Sequence, residues 1–181
     1  MQTKNIGLSY GAIYGGVSIL FTLILYILGA STFVSPVAYL GFVFPFVFAV
    51  LGGLQQKKNQ GGYLEYNEAL KVTFLILVIG SLLQTLFMFV LLNYVDVPFR
   101  EALNQEAAEM TEKMMRKFGA MESQIEEAKD KMMSQNNYSF GKQSISFAFG
   151  CIFWFLMALI ISAIIKKKKP EFEGFPTQSQ E

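Results

Sequence analysis

The sequence predicts an all-α membrane protein: four transmembrane helices, with an amphipathic helical pair in the loop between helices three and four. Three observations point to it. Of the 181 residues, 52% are hydrophobic and only 16% charged, well below the roughly 25% charged content of soluble domains. The 52 residues between Lys4 and Lys57 contain no Asp, Glu, Lys or Arg, enough for two bilayer crossings at about 20 apolar residues each. The remaining charge is segregated, with lysines at the ends of apolar segments and mixed charge between Asp96 and Lys142. Water is therefore not the main solvent, and a soluble enzyme fold is excluded. The absence of histidine removes imidazole acid/base chemistry, Ser-His-Asp triads and the commonest metal ligand. The single Cys151 cannot form an internal disulfide.

The four apolar segments are 8–29, 33–54, 72–95 and 144–165, of 22, 22, 24 and 22 residues, none containing a charge. Each can cross a hydrocarbon core of about 30 Å at about 1.5 Å per residue. At that depth only a helix satisfies its own backbone groups, whereas an open sheet edge does not. The first segment exceeds the length of a signal-peptide apolar region, so it is read as a span. Its short uncharged connection, Ala30-Ser31-Thr32, predicts a tight antiparallel hairpin with the second. Gly41 and Pro45 lie inside the second segment, where they can kink it. Residues 1–169 form the transmembrane domain, and 170–181 read as a disordered cytoplasmic tail.

Lys57, Lys58 and Lys71 flank the second and third segments, and Lys166 to Lys169 follow the fourth. Basic residues near membrane ends favour the cytoplasmic face, so both termini are expected inside. Between 55 and 71, the Gly61-Gly62 pair marks a turn, and Tyr63 and Tyr66 suit the headgroup level. Asn67 and Glu68 suit a helix start, where unpaired N–H groups favour polar and acidic neighbours.

From residue 96 the pattern becomes amphipathic. Leu103, Ala107, Met110, Met114, Phe118, Met121, Ile125, Ala128 and Met132 recur every three or four residues, the period of an α-helical stripe. Asp96 and Pro98 mark its start, and Gly119 divides it into helices near 98–118 and 121–135. This insertion, 98–135, is expected in the periplasm. Six of the nine methionines fall within it. Thioethers suit Cu(I), but no His or Cys supports them here, so packing or a partner surface is the better reading. An apolar stripe on a charged pair must be covered by something. Met110, Met114, Phe118, Met121, Ile125 and Met132 are the candidate partner-binding residues.

Inside the spans, helices associate through small residues at four-residue spacing and through interhelical hydrogen bonds. Gly7, Gly11 and Gly15 supply such a row in the first segment, and Ser146 and Gly150 in the fourth. Gln84, with Ser81 and Thr85, is the most polar feature of the third, and a buried amide there needs a partner helix. These six residues, Gly7, Gly11, Gly15, Ser146, Gly150 and Gln84, are the candidate packing positions.

The stretch Gly61-Gly62-Tyr63-Leu64-Glu65-Tyr66-Asn67-Glu68-Ala69-Leu70-Lys71 carries a resemblance. So do the glycine-rich first segment, the charged Met-rich loop with Gln124-Ile125-Glu126-Glu127-Ala128, and the lysines ending the fourth segment. Together they resemble a family of uncharacterised four-helix membrane proteins of Gram-negative bacteria, known only as a domain of unknown function. The resemblance implies an inner-membrane location and no activity, cofactor or catalytic residue. No paired carboxylate, nucleophile or metal constellation stands at a membrane boundary, so no enzyme, cofactor or nucleic-acid partner is expected. The expectation is a non-enzymatic membrane protein that self-associates or binds a membrane-protein partner through its periplasmic loop. The alternative is a small oligomeric channel or transporter lined by Ser81, Gln84 and Thr85.

Overall fold

A computed structural model describes residues 2–168, so Lys169 and the tail 170–181 lie outside the described residues. The described residues are helical, and four stretches are long and apolar enough to cross a membrane: Asn5–Leu28, Pro36–Asn59, Tyr66–Val95 and Phe140–Ile165. Helix α1 (Gln2–Leu28) ends at Gly29, whose φ of 100° breaks the helical path. A single short turn, α2 (Ala30–Phe33), and a 3₁₀ segment (Pro36–Phe42) lead into α3 (Val43–Asn59). Helix α4 (Tyr66–Val90) closes with a π turn (Leu91–Val95). Helices α5 (Val97–Lys117) and α6 (Glu122–Ser134) form the inserted pair, and α7 (Phe140–Ile165) completes the chain.

The second apolar segment, expected as a helix over 33–54 that Gly41 and Pro45 can kink, is helical over Pro36–Asn59 but changes from 3₁₀ to α winding at Val43. Pro45, third in α3, has no N–H for the carbonyl of Gly41 and crowds that carbonyl with its ring. The chain before it is wound as the tighter 3₁₀ form instead. The connection after α1 consequently runs from Gly29 to Phe42 rather than over three residues. The dominant partner of α1 is α4, not α3. These two helices run parallel, with Gly7 against Leu75, Gly11 against Ile79 and Gly15 against Leu83.

Helix α4 is the centre of the bundle, packed by α1, α3 and α7. At the lysine-bearing end, Ala49, Leu64, Ala69, Leu77, Ala158, Ile161 and Ile165 form one buried cluster. At the other end, Leu91, Leu92 and Leu103 form a second, with Tyr26, Phe33 and Phe99 packed against it. Large apolar side chains also cover the outside, including Ile27, Phe149 and Ile164 at 81%, 69% and 76% exposure, as expected where lipid rather than water is the neighbour.

The α3–α4 loop is clasped to the end of α7. Leu64 and Lys167 exchange reciprocal backbone hydrogen bonds of 2.8 and 2.9 Å, and Lys57 Nζ donates to the Ile165 carbonyl at 2.9 Å. Gly61 and Gly62, at φ 72° and 92°, make the turn that allows this. The ammonium groups of Lys166 and Lys167 lie 5.6 and 5.4 Å from the ring centres of Tyr66 and Tyr63. Glu68 accepts from Gln60 Nε2 rather than capping α4.

Candidate functional site

Two features stand out against the packed bundle: the α5–α6 arm and a polar seam between α1, α4 and α7. The arm is bolted at its base. Asp96 Oδ1 accepts the Phe99 N–H at 2.9 Å, capping α5, while Oδ2 accepts the Tyr26 hydroxyl at 2.7 Å. The Tyr26 hydroxyl, and then the Phe99 amide, hold the Asp96 carboxyl below its ordinary range. Phe99 meets Tyr26 and Phe33 edge-on, with ring centres 4.6 and 5.5 Å apart.

Asn93, in the π turn, ties both ends of the arm to α4. Its Nδ2 donates to the Phe89 and Tyr138 carbonyls at 2.9 Å. Its Oδ1 accepts from Arg100 and from Asn136, at 3.2 and 3.1 Å. Asn137 Nδ2 adds a bond of 3.3 Å to Asn104 Oδ1.

Among the described residues, α5 beyond its base packs on α6 alone, and α6 packs on α5 alone. Glu112 joins them, accepting from Lys129 Nζ and, at 3.0 Å, from Arg116 Nε. Arg116 also pairs with Glu122 across the Gly119 turn. Lys129 first, then Arg116, hold the Glu112 carboxyl below its usual range.

The six stripe residues do not share one surface. Ile125 is buried, 1% exposed, inside the α5–α6 contact. Met110 and Met132 are partly covered. Only Met114, Phe118 and Met121 are open, at 50%, 83% and 64% exposure, and they lie together around the Gly119 turn at the far tip of the arm. The period that marked one stripe thus divides into an internal seam and an exposed apolar tip. Ile125 is corrected from partner surface to arm core.

In the bundle the glycine row is used at close range. A Cβ on Gly11 would stand 2.9 Å from Ile79 Cβ, and one on Gly15 would stand 2.8 Å from Leu83 Cδ1. Gly7 meets Leu75 in the same way. Tyr14 reciprocates by packing its ring on Gly80, where an added Cβ would overlap it. Ser146 and Gly150 are placed differently. Ser146 is exposed, and nothing lies within 4 Å of where a Gly150 Cβ would be. Neither makes a close helix contact within the chain; both line a groove between α4 and α7.

Gln84 stands where that groove meets a second cavity. Its Nε2 donates to Thr22 Oγ1 at 2.7 Å, linking α4 to α1. Its Oε1 is buried and accepts no hydrogen bond among the described residues. On one side is an apolar cavity of about 300 Å³, lined by Phe21, Leu25, Phe33, Phe42, Phe44 and Pro45, with Tyr14, Ser18 and Thr22 at its wall. On the other is the groove, about 380 Å³, lined by Ser81, Thr85, Asn137, Gln143, Ser146 and Gly150. Gln84, Met88 and Trp154 line both.

Ser18 and Thr22 were not singled out in the sequence, although their four-residue spacing after Tyr14 is a legible row of polar groups in an apolar run. Trp154 continues the four-residue spacing of Ser146 and Gly150. No Asp, Glu, Lys or Arg lines either cavity.

Among known families, the model described as a protein of unknown function (DUF4199) matches residues 9–167. No curated protein and no solved structure matches the chain.

Proposed function

From the premise that this chain belongs to the DUF4199 family of proteins of unknown function, we propose a non-enzymatic multi-pass protein of the bacterial inner membrane that docks a partner through its periplasmic arm. Both termini and the lysine-bearing end lie in the cytoplasm, the placement favoured by basic residues at membrane boundaries. The partner is a second copy or another membrane protein. The observation that supports this reading is the exposed apolar tip of Met114, Phe118 and Met121, carried on an arm whose base is tied to α1 and to the π turn that closes α4. A solvated turn with no partner has no reason to present a phenylalanine at 83% exposure beside two open methionines. Methionine adds adaptability to such a surface because its thioether chain repacks easily.

A photo-crosslinking residue at Phe118 or Met121, in native membranes, is expected to yield a discrete adduct, whose mass tells a second copy from a different protein. The same residue at exposed Lys131 is expected to yield none. Equal, diffuse labelling from all three positions would reject the docking role. Orientation is tested separately, in a Cys151→Ser background. An impermeant thiol reagent added outside spheroplasts should label cysteine at Ser123 and spare cysteine at Lys58. Within one chain no pore runs between α4 and α7, because toward the lysine end from Ser81 that space is filled by buried Thr73, Leu77, Ala158, Ile161 and Ser162.

A further inference from the structure

We infer that the two cavities meeting at Gln84 together hold one neutral, single-chain amphiphile, with a donor-rich head in the groove and an apolar chain in the phenylalanine-lined cavity. The inference does not depend on the arm. Volumes of about 300 and 380 Å³ both fall in the range of about 300–1,000 Å³ typical of small-molecule sites. The two adjoin at three shared wall residues, Gln84, Met88 and Trp154, and differ in character, one polar and one apolar.

The chemistry of the head follows from what the wall already uses. The Ser81 hydroxyl donates to the Val78 carbonyl at 3.1 Å, and the Thr85 hydroxyl donates to the Ser81 carbonyl at 2.8 Å. Their hydrogens are engaged within α4, so each hydroxyl oxygen of these two groove-lining residues is left as an acceptor. Gln84 likewise commits an N–H to Thr22 and leaves its Oε1 unmet. A buried acceptor without a donor is a cost, and a donor supplied by the ligand removes it.

Three acceptors call for a head rich in O–H or N–H groups. A carboxylate brings only acceptors; Lys142 Nζ, which donates to the wall residue Asn137 at 3.0 Å, is already held there and by Gln135, and no basic residue itself lines the site among the described residues. An ammonium would lie buried with no acidic residue on the wall. A polyol or primary amide head meets both conditions. Met88, whose flexible thioether chain repacks easily, lines both cavities beside Gln84.

Trp154 is the only tryptophan in the chain and borders both cavities, so it reports occupancy directly. The purified full chain in nanodiscs is titrated with a monoacylglycerol brominated on its chain, and tryptophan quenching is read. The expected result is saturable quenching, reversed by the unbrominated monoacylglycerol but not by the fatty acid of equal length. Gly150→Leu should abolish the saturable phase: nothing stands within 4 Å of its Cβ position, so the new side chain fills the groove without a clash at the helix. Gln84→Leu should weaken binding about tenfold, the loss of one hydrogen bond to a buried group. Quenching that rises linearly with lipid content and is equal in the three proteins would overturn the inference in favour of ordinary bilayer contact. Equal competition by the fatty acid would overturn the donor-rich head.

Discussion

Replacing Gly11 with alanine tests whether α1 and α4 are held by backbone proximity. The new Cβ would lie 2.9 Å from Ile79 Cβ, 3.0 Å from Ile79 Cγ2 and 3.2 Å from the Ile76 carbonyl oxygen. None of these can swing away, since a β-branched side chain has one strongly preferred rotamer in a helix and the third atom is backbone. Carbon pairs sit best near 3.5–4.0 Å, so the helices must part by at least about 0.6 Å at this level. A gap of that size forfeits about a quarter to a half of the dispersion attraction of the neighbouring pairs, here Gly7 with Leu75, Gly15 with Leu83 and Tyr14 with Gly80. Overpacking of this kind costs about 1–3 kcal/mol. The better helix propensity of alanine returns at most about 1 kcal/mol. The expected net loss is about 1–2 kcal/mol, read from reversible unfolding in mixed micelles. Gly150→Ala is the matched control, because its Cβ meets open space; it should be neutral or slightly stabilising. Equal stabilities for the two variants would refute the account of the α1–α4 pair.

Thr73 Oγ1 and Ser162 Oγ lie 2.9 Å apart, both fully buried between α4 and α7. A double-mutant cycle with Thr73→Val and Ser162→Ala should give a coupling of about 0.6 kcal/mol, the average for hydrogen bonds between helices in membranes, and at most about 1.7 kcal/mol; a coupling near zero would mean each hydroxyl is served by its own helix, as Thr73 already is by the Ala69 carbonyl. The arm should respond to acid. The Glu112 carboxyl is held below its ordinary value of 4.5, so its stabilisation is complete above that value and disappears as the pH falls toward the lowered one. Hydrogen-exchange protection of α6 should therefore decline below about pH 4.5, and Glu112→Gln should remove that decline while the first turn of α5, capped by Asp96, keeps its own; an unchanged α6 profile in the variant would refute the assignment.

The helical class and the positions of the four apolar stretches were legible because bilayer depth acts on composition alone: a long uncharged run declares itself without knowledge of any neighbour. The inserted pair was legible for a similar reason, since the 3.6 period and Gly119 are local signals, and α5 and α6 fall within two residues of the expected limits. Partnership between elements was less so. The Gly7, Gly11 and Gly15 row announces that something comes close, yet a smooth strip accepts any ridge. Only the matching row of Leu75, Ile79 and Leu83 on α4 decides which, and leucine and isoleucine are too common in such helices to stand out. The loop length from Gly29 also misled, because Pro45 acts backward along the chain and converts the expected helix start into a 3₁₀ segment. Ile125 and Phe118 lie seven residues apart on one periodic stripe, and their opposite burial follows from the turn between them, which no period can show.

That 3₁₀ segment also explains why polar groups and empty space gather in one half of the bundle. Toward the lysine end α3 is a regular helix bearing Ala49, Gly52 and Gly53, and it closes on α4 and α7 so tightly that a Cβ on Gly52 would overlap Ile76 Cδ1 and one on Gly53 would overlap Ile165 Cδ1. Before Val43 the chain rises faster per residue, as 3₁₀ winding does, and it carries the bulky Tyr39 and Phe42 beside Ala38 and Gly41. It does not pack on α4 there. Helices α1 and α4 stay joined at this level by the Thr22–Gln84 bond, which fixes one wall. The opposite wall is then Ala38, Gly41, Phe42, Phe44 and Pro45, and the cavity lies where the 3₁₀ segment stays off α4. A polar amide is tolerated beside such a space because its nitrogen is satisfied across the helix pair, leaving one oxygen whose environment depends on what enters.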